Sequence, residues 1–264
     1  MNRGCVCTAL TLLLLASGLA ARTRVRTKGA GGISLRKRTH VNTLIAEPGT
    51  GEIDWAQLYS FSSRNWTMPS TLRYTPKGGH LLWGRTEYSA AFESFTNLSA
   101  GDHRVTQTGD AVTLSATTVV VDGEKFDIAV APQATLFLRN ESGARLGATA
   151  IARYDAAGNS LSSTLTWSAA TQASDGNPAR ITDVGFGFGR RLGTAGLAQK
   201  LSPHVNAVWE RATGLPGTFS LFEGMEYQVS ERVAFDVSGQ HFNLRGGAVD
   251  HQIVAGFTFN LARR

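Results

Sequence analysis

Six histidines, His40, His80, His103, His204, His241 and His251, are the side chains best suited to proton transfer or metal ligation. No two of them stand at a spacing typical of a metal-ligand pair. There is no phosphate-binding loop and no Gly-x-Ser-x-Gly elbow, so the common machinery of phosphoryl and acyl transfer is missing. His204 lies on one period-two face with Asn206 and Glu210, in a chain rich in serine. A hydrolase needs a nucleophile, a base and an orienting group, and no spacing here selects such a set. His241 and His251 flank the last hairpin and are expected at its wet end. The sequence therefore reads as a protein that is not an enzyme, with no catalytic residue, metal site or cofactor.

The chemistry that remains is charge at alternate positions. Arg85, Glu87, Glu93, Lys125, Asp127, Arg139, Arg145, Arg153, Asp155, Glu210, Glu226, Asp236 and Gln240 fall on the polar side of period-two segments. Both signs are present. Charges buried on one such face should pair across neighbouring strands, because an unpaired buried charge is costly. The same face can also act as a charged path for solutes. Which role applies depends on the elements that carry these residues.

Those elements read as strands. In 143–155, Ala144, Leu146, Ala148, Ala150, Ala152 and Tyr154 alternate with Arg145, Gly147, Thr149, Arg153 and Asp155, with Ile151 as the exception. A strand sends successive side chains to opposite faces, whereas a helix would scatter both sets. The pattern recurs over 124–139, 159–169, 232–242 and 251–261. Asp122-Gly123, Ala157-Gly158-Asn159 and Pro216-Gly217 punctuate it as turns. About twelve strands are predicted, near 55–62, 65–75, 81–95, 110–121, 124–139, 143–155, 159–170, 181–191, 201–211, 217–229, 232–242 and 250–261. Most exceed the usual strand length of about 5–6 residues and match the roughly 9–11 needed to cross a bilayer at a tilt.

The whole-chain charge of +6 suggests a basic protein, but its location excludes a nucleic-acid-binding domain. Residues 1–46 hold 8 of the 26 basic groups and no acid, which leaves 18 basic against all 20 acidic residues, a net of −2, for 47–264. Arg3, the apolar run Ala9 to Ala16 and the small residues before Ala20 form the pattern of a secretory signal peptide over 1–20. A buried N-terminal helix is the structural alternative. The basic run Arg22 to Arg38 also suits an organelle transit peptide, and 21–46 otherwise reads as a disordered linker. Residues 47–264 are the barrel domain. Cys5 and Cys7 both precede the apolar run, so the exported chain lacks cysteine.

Closure of long, hairpin-linked strands into an antiparallel, up-and-down transmembrane β-barrel satisfies every backbone group, as lipid demands. Charged residues are only 17% of the chain, few for a water-facing surface, and the polar faces are mainly Ser, Thr, Gly and Gln. Trp167, Tyr154, Tyr88, Trp209 and Tyr227 sit near strand ends, as interfacial girdles do. A soluble sandwich or lipocalin-like, ligand-binding barrel, with its apolar face inward, is the competing architecture.

The chain resembles bacterial single-chain outer-membrane β-barrels, and among them the transporter-like barrels of phenol meta-pathway degradation. The likeness spans about 50–261. It is carried by Gly51-Glu52-Ile53-Asp54-Trp55, Asp122-Gly123-Glu124-Lys125-Phe126-Asp127, Phe222-Glu223-Gly224-Met225-Glu226-Tyr227 and Asp250-His251-Gln252-Ile253-Val254-Ala255-Gly256-Phe257-Thr258-Phe259. It implies an outer-membrane location, contact with outer-membrane lipid and the barrel-assembly machinery, and passage of a small solute. It brings no catalytic residue. One departure is the ending, which runs past Phe259 to Asn260-Leu261-Ala262-Arg263-Arg264, where such barrels tend to end on an aromatic residue. The expected function is a narrow channel or transporter for small solutes. A barrel with a plugged lumen and a structural or surface role is the alternative.

Overall fold

In the computed structural model the described residues are 45, 48–61, 65–77, 80–81, 84–100, 103–107, 111–138, 143–174, 178–193, 195–230, 232–242 and 249–261. The predicted signal peptide and nearly all of the basic segment lie outside them. The elements are β1 (Thr50–Ser60), β2 (Asn65–Thr75), β3 (His80–Leu81), β4 (Gly84–Ala100), β5 (His103–Gln107), β6 (Ala111–Asp122), β7 (Phe126–Phe137), β8 (Ala144–Ala156), β9 (Asn159–Ala170), β10 (Arg180–Arg190), α1 (Gly196–Lys200), β11 (Leu201–Ala212), β12 (Thr218–Gln228), β13 (Val233–Phe242) and β14 (Asp250–Asn260).

Every long strand pairs antiparallel with its neighbours in sequence. The circuit closes where β1 meets β14, with Glu52 opposite Asn260 and Ser60 opposite Gln252. Leaving out the short β3 and β5, which only extend β4, the wall is a closed barrel of 12 strands. Closure leaves the twelve wall strands no free edge. The first strand begins at Thr50, earlier than the sequence suggested, because Gly51 to Asp54 already pair with both β2 and β14 or lie between them.

The turns follow local chemistry. β8 and β9 are joined by Ala157-Gly158, both at positive φ (49° and 81°). That is the geometry whose twist suits a two-residue hairpin, and Gly158 adopts it without strain. At Asp122-Gly123 the Gly123 N–H donates to the Phe126 carbonyl (3.1 Å) and to Asp127 Oδ1 (3.2 Å). β7 therefore starts at Phe126, and Lys125 belongs to the turn.

One rim carries the start of β1, the end of β14, α1 and the two shortest connections between wall strands, 123–125 and 157–158. At the other, distal rim β4 runs past the wall and pairs with β5, Ala100 opposite His103. That hairpin occupies part of the stretch between the strands predicted near 81–95 and 110–121.

The two faces of the wall are inverted relative to a soluble barrel. On β9, Leu161, Leu165 and Trp167 are each about half exposed (52%, 53% and 51%), while Ser160, Ser162, Thr166 and Ser168 between them are buried. Phe186, Val205, Met225, Val237 and Ile253 are likewise exposed on other strands. An apolar surface this continuous marks a membrane-facing or binding surface, not a water-facing one. Aromatic residues gather toward both rims of this outer face. Tyr74, Tyr88 and Tyr154 lie near the terminal rim, and Trp66, Trp167 and Trp209 near the distal rim.

Candidate functional site: the polar lumen

Period-two alternation places one polar row per strand on the inside. Glu52 and Asp54 come from β1, Arg73 from β2, Arg85 and Glu87 from β4, and Asp127 from β7. β8 contributes Arg145, Arg153 and Asp155, β10 Asp183, and β13 Asp236 and Gln240. Glu210 and Glu226 share this face because their register partners are the buried Asp183 and Asp236.

Of the residues singled out from sequence, the described lumen wall brings together Arg85, Glu87, Asp127, Arg145, Arg153, Asp155, Glu210, Glu226, Asp236 and Gln240. Glu93 lies on β4 opposite Pro69, but its side chain is outside what is described. Arg139 also lies outside the described residues. Lys125 is exposed in the β6–β7 turn at the terminal rim, where its carbonyl accepts from the Asp155 N–H (2.8 Å).

Several charges are held in pairs. Arg153 grips Asp155, two positions on along the same face, through Nε–Oδ2 at 2.8 Å and an Nη2–Oδ1 bond at 3.0 Å. Such two-point pairing is the strong form of a charge-assisted bond. Arg85 pairs with Asp122 near the terminal rim. Asp54 accepts from Arg73 (2.9 Å) on one side and from the Thr258 hydroxyl (2.7 Å) on the other, so one carboxylate links β14, β1 and β2 across the closure. Arg145 donates to Ser168 Oγ (3.2 Å) and to the Pro178 carbonyl.

Between the charges runs a ladder of neutral groups. Gln133 donates to Thr149 Oγ1 (3.0 Å), which meets Thr166 Oγ1 (2.9 Å). Thr166 in turn lies opposite Asp183 in register. On the next arc His204 Nε2 approaches Asp236 Oδ2 (3.8 Å) across Gly224. A Cβ at Gly224 would stand 2.7 Å from His204 Nε2 and 2.7 Å from Ser238 Cβ. Glycine is needed there because the imidazole lies over it.

Two features escaped sequence reasoning. Ile45, in the segment before β1, is buried inside the barrel against Val119, Ala129 and Ile151 of β6, β7 and β8. Ile151, the odd residue on the polar face of β8, is thus one part of an apolar seat. The Pro48-Gly49 turn, with Gly49 at φ 80°, reverses the chain from that seat into β1. On the outer face, strand register sets His241 opposite His251, with Nδ1 atoms 2.7 Å apart and His241 Nε2 2.6 Å from Glu223 Oε1. Cross-strand pairing made this contact, and spacing along the chain gave no sign of it. No group of three His, Cys, Asp or Glu suited to a metal occurs among the described residues.

The nine inward carboxylates named above (Glu52, Asp54, Glu87, Asp127, Asp155, Asp183, Glu210, Glu226 and Asp236) face four guanidinium groups (Arg73, Arg85, Arg145 and Arg153). The described lumen is therefore acidic.

No protein-family model matches the chain, and no curated protein matches it. Solved structures do. The NanC porin aligns with a TM-score of 0.56 at 7% identity, over 78% of this chain and 98% of that one. The KdgM porin aligns at 0.53 and 10% identity, over 79% and 98%. A second KdgM structure, described as a complex with disordered oligogalacturonate, aligns at 0.52 and 9%, over 79% and 98%. The fold is that of a porin barrel. At such identities the likeness concerns the fold alone.

Proposed function

We propose that this chain spans a bacterial outer membrane and passes small solutes through a narrow, acidic lumen that favours cationic and neutral solutes over anions. The observation that carries the proposal is the inversion on β9, with Leu161, Leu165 and Trp167 outside and serine and threonine within. Water-soluble barrels have the opposite arrangement, which speaks against a soluble ligand-binding barrel. Twelve strands give a lumen wider than a filled eight-stranded barrel and narrower than the open porins. The phenol meta-pathway likeness rests on hairpin and strand motifs common to many such barrels, so the proposal stops at the porin-like level. The short connections and both ends of the sheet support a terminal rim on the periplasmic side, in a protein exported through the expected signal peptide and inserted by the assembly machinery. KdgM is described with an acidic oligosaccharide; the carboxylate excess here argues for a different cargo. A plugged structural barrel is the second reading, and Ile45 inside the lumen favours it.

Folded protein is expected in the outer-membrane fraction, with a gel mobility that changes on boiling in detergent. In planar bilayers under a KCl gradient it should give discrete conductance steps with a cation-selective reversal potential. Soluble protein with no heat-dependent shift would end the membrane reading. Folded protein without conductance would favour the plugged barrel.

A further inference from the structure

Asp183 differs from the other charges of the wall. It is only 5% exposed, and neither of its carboxylate oxygens has a hydrogen-bond partner. It points inward from β10, with Glu210 directly opposite on β11 and Thr166 opposite on β9. Two carboxylates facing each other on one side of a sheet repel, and a buried carboxylate without partners is expensive. No neighbour donates a hydrogen bond to it: the Thr166 hydroxyl is engaged with Thr149, and Arg145, whose charge attracts Asp183 from β8, donates to Ser168 and the Pro178 carbonyl.

A cation held between Asp183 and Glu210 would remove both costs. A dedicated metal cage fits poorly, because hard cations take six or more oxygens and, among the described residues, no three-residue acidic or histidine group converges there. A guanidinium head needs only acceptors, and a free carboxylate offers it two oxygens side by side. The flanking inner positions are neutral: Thr164 on β9, Gly185 on β10 and Val208 on β11.

The geometry points to a binding site for the guanidinium head of a small organic cation at Asp183 and Glu210, in the lumen wall near the distal rim. The site deepens the passage reading and takes its biological meaning from it, but binding is measurable without conductance. Ethylguanidinium chloride is the probe, used with full-length protein folded in detergent or in a planar bilayer. Saturation-transfer NMR should show contact with wild type. Ethylguanidinium should also interrupt the potassium current. Asp183→Asn should weaken both effects at least about tenfold, the loss of a charged hydrogen-bond acceptor. Glu210→Gln should weaken them less, and Glu124→Gln, in the exposed β6–β7 turn, should leave them unchanged. The heat-dependent gel shift confirms that each variant is folded, and Glu210→Gln decides if Asp183→Asn is not. NMR contact sensitive to Asp183 in a protein that does not conduct supports the site and sinks the passage reading. A conducting protein whose contact and block are absent, or unchanged in folded Asp183→Asn, overturns the site.

Discussion

Asp54 fastens the seam where the first strand meets the last. Its carboxylate holds Arg73 of β2 and Thr258 of β14 together. Asp54→Ala leaves a buried guanidinium short of one carboxylate partner and removes the side-chain link to Thr258 across the closure. A loss of roughly 2–3 kcal/mol is expected, measurable as a lower urea midpoint for the folded, heat-shifting form in detergent. Gly224 is a second residue with a specific duty. Gly224→Ala drives a methyl group into the imidazole of His204 and the Ser238 side chain, and also within 2.8 Å of the Val237 carbonyl. Overpacking of this kind costs about 1–3 kcal/mol, and the same urea titration reads it. At this scale much of the wall was legible, because alternation alone sends Asp127, Arg153 and Asp155 inward. Glu52 and Asp54 lie before the predicted start of the first strand near 55, so alternation does not reach them, whereas Arg73 and Asp183 obey the same alternation. Contacts set by register, such as Asp54–Thr258 or His241–His251, join residues far apart in sequence or on separate strands. No local pattern encodes them.

The strands themselves were the most legible elements. A period-two signal over ten or more residues is hard to mistake, and turn residues fixed most ends to within a residue or two. Two things depended on tertiary structure. β4 runs beyond the wall because β5 folds back on it, a pairing that a loop-like sequence did not announce. The segment before β1 places Ile45 on the seat of Val119, Ala129 and Ile151, and only that seat explains an isoleucine on the polar side of β8. Ile45→Ala should cost about 2 kcal/mol, the low end for emptying a large aliphatic site. It should also raise the single-channel conductance, since the side chain fills part of the lumen. Unchanged conductance together with unchanged stability would mean that the seat is unimportant.

Over the whole molecule, the sequence hid two opposite charge distributions in one total. The net +6 is set by basic residues before position 47, whereas the barrel is slightly acidic and its described lumen is more so. The apolar content was similarly divided, one face of each strand against the other. Sequence alone could not say which face was outside, because a soluble and a membrane barrel share the same alternation. Burial decides it: Leu165 and Trp167 lie outside and Ser168 inside. The most direct test is a single-cysteine scan of β9 from Leu161 to Trp167, in a background with Cys5 and Cys7 replaced by serine. Each site is spin-labelled in lipid vesicles and probed with oxygen and with a water-soluble nickel complex. Labels at Leu161→Cys, Leu165→Cys and Trp167→Cys should meet oxygen from the bilayer. Those at Ser162→Cys and Thr164→Cys should meet nickel from the lumen, giving a period of two. The reverse assignment, or nickel access at every position, would contradict an apolar outer wall set in a membrane around a polar lumen.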